Sequence, residues 1–192
     1  MLRREFTMAP RSRPKRKGRP DLAAEFEVVN ATIETAARVA SARLTELGVR
    51  HVLVGGLAVG AYAEPRATKD VDFLVGPEAW PTSGIIVSPI PGLPVQVGKV
   101  AIDTLLAPLE APGIEEALGR GIESEGIPVA PPEVVLLMKL IADRPRDRYD
   151  IAALLEVIDH DVALEYVEKF GPDYLPALES ALQEHQRRSD SH

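Results

Sequence analysis

Apolar and polar positions along the chain alternate with two periods. Leu22, Phe26, Val29, Ile33, Ala37, Ala40, Leu44 and Leu47 recur every three or four residues, which predicts a helix over 21–47. Gly48 stands where a helix C′ stop belongs. "RHVLVGG" then reads as a short buried strand ending in glycines, "LAVGAYA" as a short helix, "EPRATK" as a loop and "DVDFLVG" as a second strand. "GIIVSPI" and "PVQVGKVAIDTLL" read as two further strands joined at Pro91-Gly92. Residues 76–84 are turn-rich and too short for a long crossover helix. The remainder reads as mostly helical. Pro131-Pro132 suits a first helical turn before "EVVLLMKLIADR", "RDRYDIAALLEVI" forms another helix, and residues 162–170 and 173–187 form a last pair broken near Gly171-Pro172.

The expected fold is α+β. A small mixed sheet of about four strands, flanked by helices, carries a helical C-terminal part that closes a cleft. The expected division is a basic tail over 1–20, a core over 21–107 and the helical part over 108–188. At 192 residues and 45% apolar content the chain is long enough for one domain with a real core.

Charge refines this picture. The formal net charge is −7. Residues 1–20 carry eight basic side chains and one acidic one, and the other 172 residues carry 14 basic and 28 acidic. So acidic a body should not bind nucleic acid without a local basic cleft, whereas the tail has the composition for electrostatic contact. That Pro- and charge-rich tail is expected to be disordered. No apolar run approaches the roughly 20 residues that span a bilayer, and no signal-peptide pattern opens the chain. With zero cysteines, disulfides and Cys-based zinc sites are excluded. A cytoplasmic protein is expected.

The chemistry concentrates in residues 55–75, "GGLAVGAYAEPRATKDVDFLV". In a strand, residues i and i+2 share a face. Asp70 and Asp72 therefore project together while Val71 and Phe73 face the core. A carboxylate pair in a buried strand is expensive unless it is paired or binds metal. Asp103, in another predicted strand, adds a third carboxylate, and three oxygen ligands of this kind suit Mg²⁺ or Mn²⁺. Gly55-Gly56, between a strand and a helix, lets the backbone approach a phosphate with free N–H groups. Arg66 and Thr68, just before the aspartates, are placed to contact a triphosphate or an acceptor. The four histidines are scattered without metal-ligand spacing.

Val54-Gly55-Gly56, a thirteen-residue gap, Asp70-Val71-Asp72 and then Ile102-Asp103 form a pattern. It resembles that of the polymerase-β-type nucleotidyltransferase superfamily. "GGLAV…R.TKDVDFLV" and "KLIADRPRDRYDIAALL" resemble its AbiEii-like toxin and minimal nucleotidyltransferase branch, over roughly residues 50–156. The resemblance implies that Gly55 and Gly56 cradle nucleotide phosphates and that Asp70 and Asp72 ligate Mg²⁺. It implies that Asp103 is a third ligand or the base for the acceptor hydroxyl, that Lys139 steadies the triphosphate, and that Asp147 or Asp150 completes the pocket. The implied activity is transfer of a nucleoside monophosphate from an NTP to a hydroxyl of RNA (tRNA) or protein, as the toxin of a toxin–antitoxin pair with a cognate antitoxin.

There are departures. Gly56 stands where many relatives have serine, which removes one hydroxyl. Only 30 residues separate Asp72 from Asp103, so the usual intervening helix is reduced or absent. Thr104 is less apolar than the pattern prefers, and the C-terminal part is short. Two other readings stay open: a small-molecule (antibiotic) nucleotidyltransferase, and a degenerate nucleotidyltransferase fold used as a binding module. Several residues also carry a structural reading: Lys139 as a snorkelling side chain in an apolar helix, Asp147 and Asp150 as a charged helix start, Tyr62 and Tyr149 as packing residues.

Overall fold

The computed structural model describes residues 18–80, 90–108 and 111–190. The basic stretch up to Lys17 and most of the expected strand "GIIVSPI" lie outside them. The fold is α+β: one six-stranded mixed sheet, flanked by helices, with a helical C-terminal part.

The predicted helix over 21–47 is two helices, α1 (Leu22–Val28) and α2 (Ala31–Glu46). Side-chain caps explain the break. Asp21 accepts from the Ala24 N–H at 3.1 Å, and Asn30 accepts from the Thr32 N–H at 2.8 Å, starting a second helix where the apolar period runs on unbroken. Gly48, at φ +69°, follows the end of α2 as expected.

The next strands are β1 (His51–Val54), β2 (Asp70–Val75), β3 (Gln96–Val97) and β4 (Val100–Leu105), with α3 (Gly55–Tyr62) between the first two. "PVQVGKVAIDTLL" is a hairpin rather than one strand, because Gly98 turns the chain at φ +60° between β3 and β4. Two strands fall in the part expected to be helical: β5 (Ile122–Ser124) and β6 (Ile127–Val129). Their turn, Glu125-Gly126, has both φ values positive (53° and 74°), the geometry of a tight hairpin. The signal was Glu-Gly between "IES" and "IPV", too short to outweigh the helical surroundings. The sheet order is β3-β4-β2-β1-β6-β5, six strands instead of about four.

Register places the site. β1 and β2 are antiparallel, with Leu53 opposite Phe73 and Val54 opposite Asp72. β2 and β4 are parallel, with Asp72 level with Asp103. His51, Leu53, Val71 and Phe73 share the face covered by α2, where the His51 ring meets Phe73 edge-on and its Nε2 lies 2.9 Å from Ser41 Oγ. Val71 and Phe73 are fully buried there. The aspartates face the other side, toward α4 (Pro132–Ala142) and the start of α5 (Asp147–Leu155). α6 (His160–Phe170) and α7 (Leu175–Ser189) complete the C-terminal part. Tyr62 packs as read from the sequence and donates its hydroxyl to the Ala130 carbonyl at 2.9 Å, tying α3 to the entry of α4. Tyr149 does not pack: it is 81% exposed. Among the described residues no helix is long and apolar enough to cross a membrane.

The Asn30 cap yields a test. Asn30→Ala should lower stability by about 1 kcal/mol, read as a reduced midpoint in thermal or urea denaturation. An unchanged midpoint would mean that packing alone divides α1 from α2.

Candidate active site

A cleft of roughly 810 Å³ opens between the aspartate face of the sheet and α4. It gathers Gly55, Gly56, Arg66, Thr68, Asp70, Asp72, Asp103 and Lys139, eight residues singled out from the sequence. Asp147 and Asp150 are not among its lining residues; they sit behind it and reach it through Lys139.

Gly55 is required twice over. Its φ is +67°, a left-handed conformation that costs an L side chain about 1 kcal/mol or more. A Cβ built there would stand 1.9 Å from Asp72 Oδ2, so the carboxylate is seated directly on the glycine backbone. Gly56 is needed for space. A Cβ on it would lie 2.9 Å from Thr68 Oγ1 and 3.2 Å from Arg66 Nη2. Thr68 thus brings a hydroxyl to the space a serine at 56 would fill, and it donates to Asp70 Oδ1 at 3.2 Å.

The carboxylates differ in setting. Asp70 and Asp72 are half-buried and Asp103 is exposed. Burial, then the charges of Asp70 and Asp103, push the Asp72 carboxyl up to about 6, while Lys139 and Arg144 pull it down. Three hard oxygen donors with mutual repulsion and a carboxyl held reluctant to ionise fit a divalent cation, which would relieve both penalties. The set is open, however. Among the described residues no group of three or more His, Cys, Asp or Glu is gathered closely enough to hold a metal ion.

The opposite wall is cationic. Lys139, only 5% exposed, does not snorkel: its Nζ lies 2.9 Å from Asp147 Oδ1 and 2.7 Å from Asp150 Oδ2. Arg66, on the loop before β2, reaches Asp150 at 3.0 Å and so has a structural partner as well. Arg144 reaches Asp147 Oδ2 at 2.7 Å through Nε and 3.1 Å through its backbone N–H. Burial pushes the Asp147 carboxyl up, but hydrogen bonds from Arg144 and Lys139 outweigh it and hold that carboxyl below the usual range. Arg144 and Arg146 line the cleft and were not assigned to it from the sequence. In "ADRPRDRYD" three arginines alternate with other residues, and nothing in that spacing tells which ones turn inward.

Two tests follow from this geometry. Because the folded-state Asp72 carboxyl titrates near 6 and the unfolded one near 3.8, the fold takes up a proton between those values and loses stability as pH rises through them. Asp72→Asn should therefore be more stable than the parent at pH 7, by on the order of 2–3 kcal/mol at most, with the gap closing toward pH 4. Melting curves of both proteins across that range read it. Gly55→Ala should be destabilised by about 1–3 kcal/mol and lose the elevated Asp72 titration, measurable by NMR of the side-chain carboxyl. An unaltered titration would mean that the carboxylate does not depend on the glycine seat.

No protein-family model matches the chain, and no curated protein does. Solved structures similar in shape include the following two. One is the crystal structure of an antigenic nucleotidyltransferase-like protein from Paracoccidioides brasiliensis, at 17% identity and a TM-score of 0.46, covering 81% of this chain and 94% of that one. The other is the solution structure of the antibiotic-resistance factor ANT(2'')-Ia, at 16% identity and a TM-score of 0.47, covering 84% of this chain and 99% of that one.

Proposed function

We propose that this chain is a Mg²⁺-dependent nucleotidyltransferase that moves a nucleoside monophosphate from an NTP to a hydroxyl and releases pyrophosphate. The observation that carries the reading is Asp72, seated on a left-handed Gly55 and level with Asp103 across β2 and β4, facing a cationic wall. A strand with no charge to bind has no reason to hold a carboxylate there.

In this reading Asp70, Asp72 and Asp103 would hold Mg²⁺ or Mn²⁺, which when bound supplies charge stabilisation to phosphoryl oxygens. The Gly55-Gly56 backbone takes the phosphates at close range, with Thr68 and Arg66 beside it. The acceptor oxygen bonds to the α-phosphorus as the bond from that phosphorus to the bridging oxygen breaks. Pyrophosphate leaves with that electron pair, and the acceptor's proton passes to an Asp103 carboxylate oxygen. Lys139 lies under the cleft, held between Asp147 and Asp150.

The finer part of the reading rests on the motif resemblance: an AbiEii-like toxin acting in the cytoplasm on tRNA or protein, with a cognate antitoxin. The basic stretch before residue 20 supports an RNA acceptor. The open carboxylate set favours a second reading, a degenerate fold that binds a nucleotide without transferring it.

Transfer from the four α-³²P-labelled NTPs with Mg²⁺ decides between them, offered total bacterial RNA, total protein and an aminoglycoside panel, with Asp70→Asn/Asp72→Asn as control. Label in a tRNA-sized or protein band, lost in the control, is the expected result. Label only in aminoglycosides moves the acceptor to small molecules. Nucleotide binding without label in any arm overturns transfer in favour of the binding module.

A further inference from the structure

The cationic wall is a single chain of alternating ions. Arg66 Nη2 meets Asp150 Oδ2 at 3.0 Å, Asp150 meets Lys139 Nζ at 2.7 Å, Lys139 meets Asp147 Oδ1 at 2.9 Å, and Asp147 Oδ2 meets Arg144 Nε at 2.7 Å. The three inner side chains are buried, with 5, 6 and 0% exposure for Asp150, Lys139 and Asp147, whereas the two ends are 39% exposed (Arg66) and 49% exposed (Arg144).

The charge balance along this chain is uneven. Lys139 is flanked by two carboxylates, so the inner three groups sum to −1 and would repel a triphosphate. The guanidiniums bring the total to +1 and place the excess at the two ends. Both ends border the cleft. Arg66 Nη2 hangs over Gly56, 3.2 Å from where a Cβ would stand, and its buried Nε has no hydrogen-bond partner among the described residues. Arg144 acts on Asp72 from the other wall, pulling its carboxyl down. A staple joining α4 to α5 would need only Lys139 and the two aspartates. It would not need two half-exposed arginine side chains bordering the same cleft.

We propose that the nucleotide's phosphates are held between the guanidiniums of Arg66 and Arg144, and that Lys139 is a positioning residue. It holds Asp150 and Asp147 at the spacing that sets the two arginines. This assignment rests on the nucleotidyl-transfer reading above. Guanidinium is the suited group, since its planar fork pairs with phosphate oxygens bidentately and an ammonium already engaged by two carboxylates does not.

The test is calorimetric binding of each NTP with Mg²⁺, with melting curves in parallel. Arg66→Gln and Arg144→Gln should each weaken binding about tenfold or more, the loss of a charge-assisted hydrogen bond, measured at a temperature where the parallel melting curves show each variant folded. Arg144→Lys should recover only part of it. Lys139→Met leaves the two buried carboxylates only their outer arginines, with no cation between them, and should lose stability and affinity together. Lys139→Met/Asp150→Asn restores the inner sum to −1, keeps the Arg144–Asp147 pair and leaves Arg66 an amide oxygen to donate to. Its affinity should return to within a few-fold of the parent. Direct contact of Lys139 with the phosphates predicts instead that the double variant binds as weakly as the single one, and that outcome overturns the proposal. So does parental affinity in both arginine variants, which decides the matter even where the Lys139 variants fail to fold. Absence of metal-dependent NTP binding in the parent protein overturns the function itself, an outcome distinct from either.

Discussion

Everything about the cleft depends on the close approach of the Asp72 carboxylate to the backbone of Gly55. The glycine is the first residue after β1, and the antiparallel register sets Val54 opposite Asp72. The chain must then turn at once into α3, and it does so at φ +67° with no room for a side chain. A backbone turn, a strand register and a half-buried charge are thereby one constraint. Shifting β2 by a single residue would point Val71 and Phe73 into the cleft and drive the aspartates into the core.

That constraint leaves an electrostatic problem which the molecule answers with unlike solutions on the two walls. On the sheet, three carboxylates share a neighbourhood in which Asp70 accepts from the Thr68 hydroxyl, and burial raises Asp72 toward neutrality. On the helices, every buried charge has a partner: Lys139 lies between Asp147 and Asp150, and those carboxylates reach out to Arg144 and Arg66. Carboxylates facing a chain of ions whose surplus positive charge lies at its two exposed ends match the proposed metal–nucleotide ligand, which carries both signs.

The placement of the C-terminal helices follows from the same network. Asp147 and Asp150 occupy the first turn of α5, where negative charge is favoured by the helix dipole. Their side chains turn inward to Lys139 on α4 rather than outward to solvent. The structural reading of these residues as a helix start and the functional reading as part of a pocket therefore describe the same groups. Arg66 extends the network to the loop before β2, joining the helical part to the strand that carries the aspartates.

Much of this was legible in the chain itself. Period-2 alternation in "DVDFLV" assigns Asp70 and Asp72 to one face and Val71 and Phe73 to the other, because pleating allows no other arrangement. Paired glycines after an apolar run mark a tight strand-to-helix turn for an equally local reason. Other features were invisible because they depend on partners far along the chain. The helix over 21–47 breaks at a cap whose side-chain bond outcompetes an unbroken apolar period. β5 and β6 are three residues each and exist because β6 finds β1 some seventy-five positions earlier. The charged segment 144–150 has no periodicity that separates inward from outward residues. Pairing with Lys139 buries Asp147 and Asp150, Asp147 in turn holds Arg144 at the cleft, and Tyr149 is left in solvent. Local backbone geometry is written in adjacent residues, whereas the neutralisation of a buried charge is settled by whichever group the fold brings within about 3 Å of it.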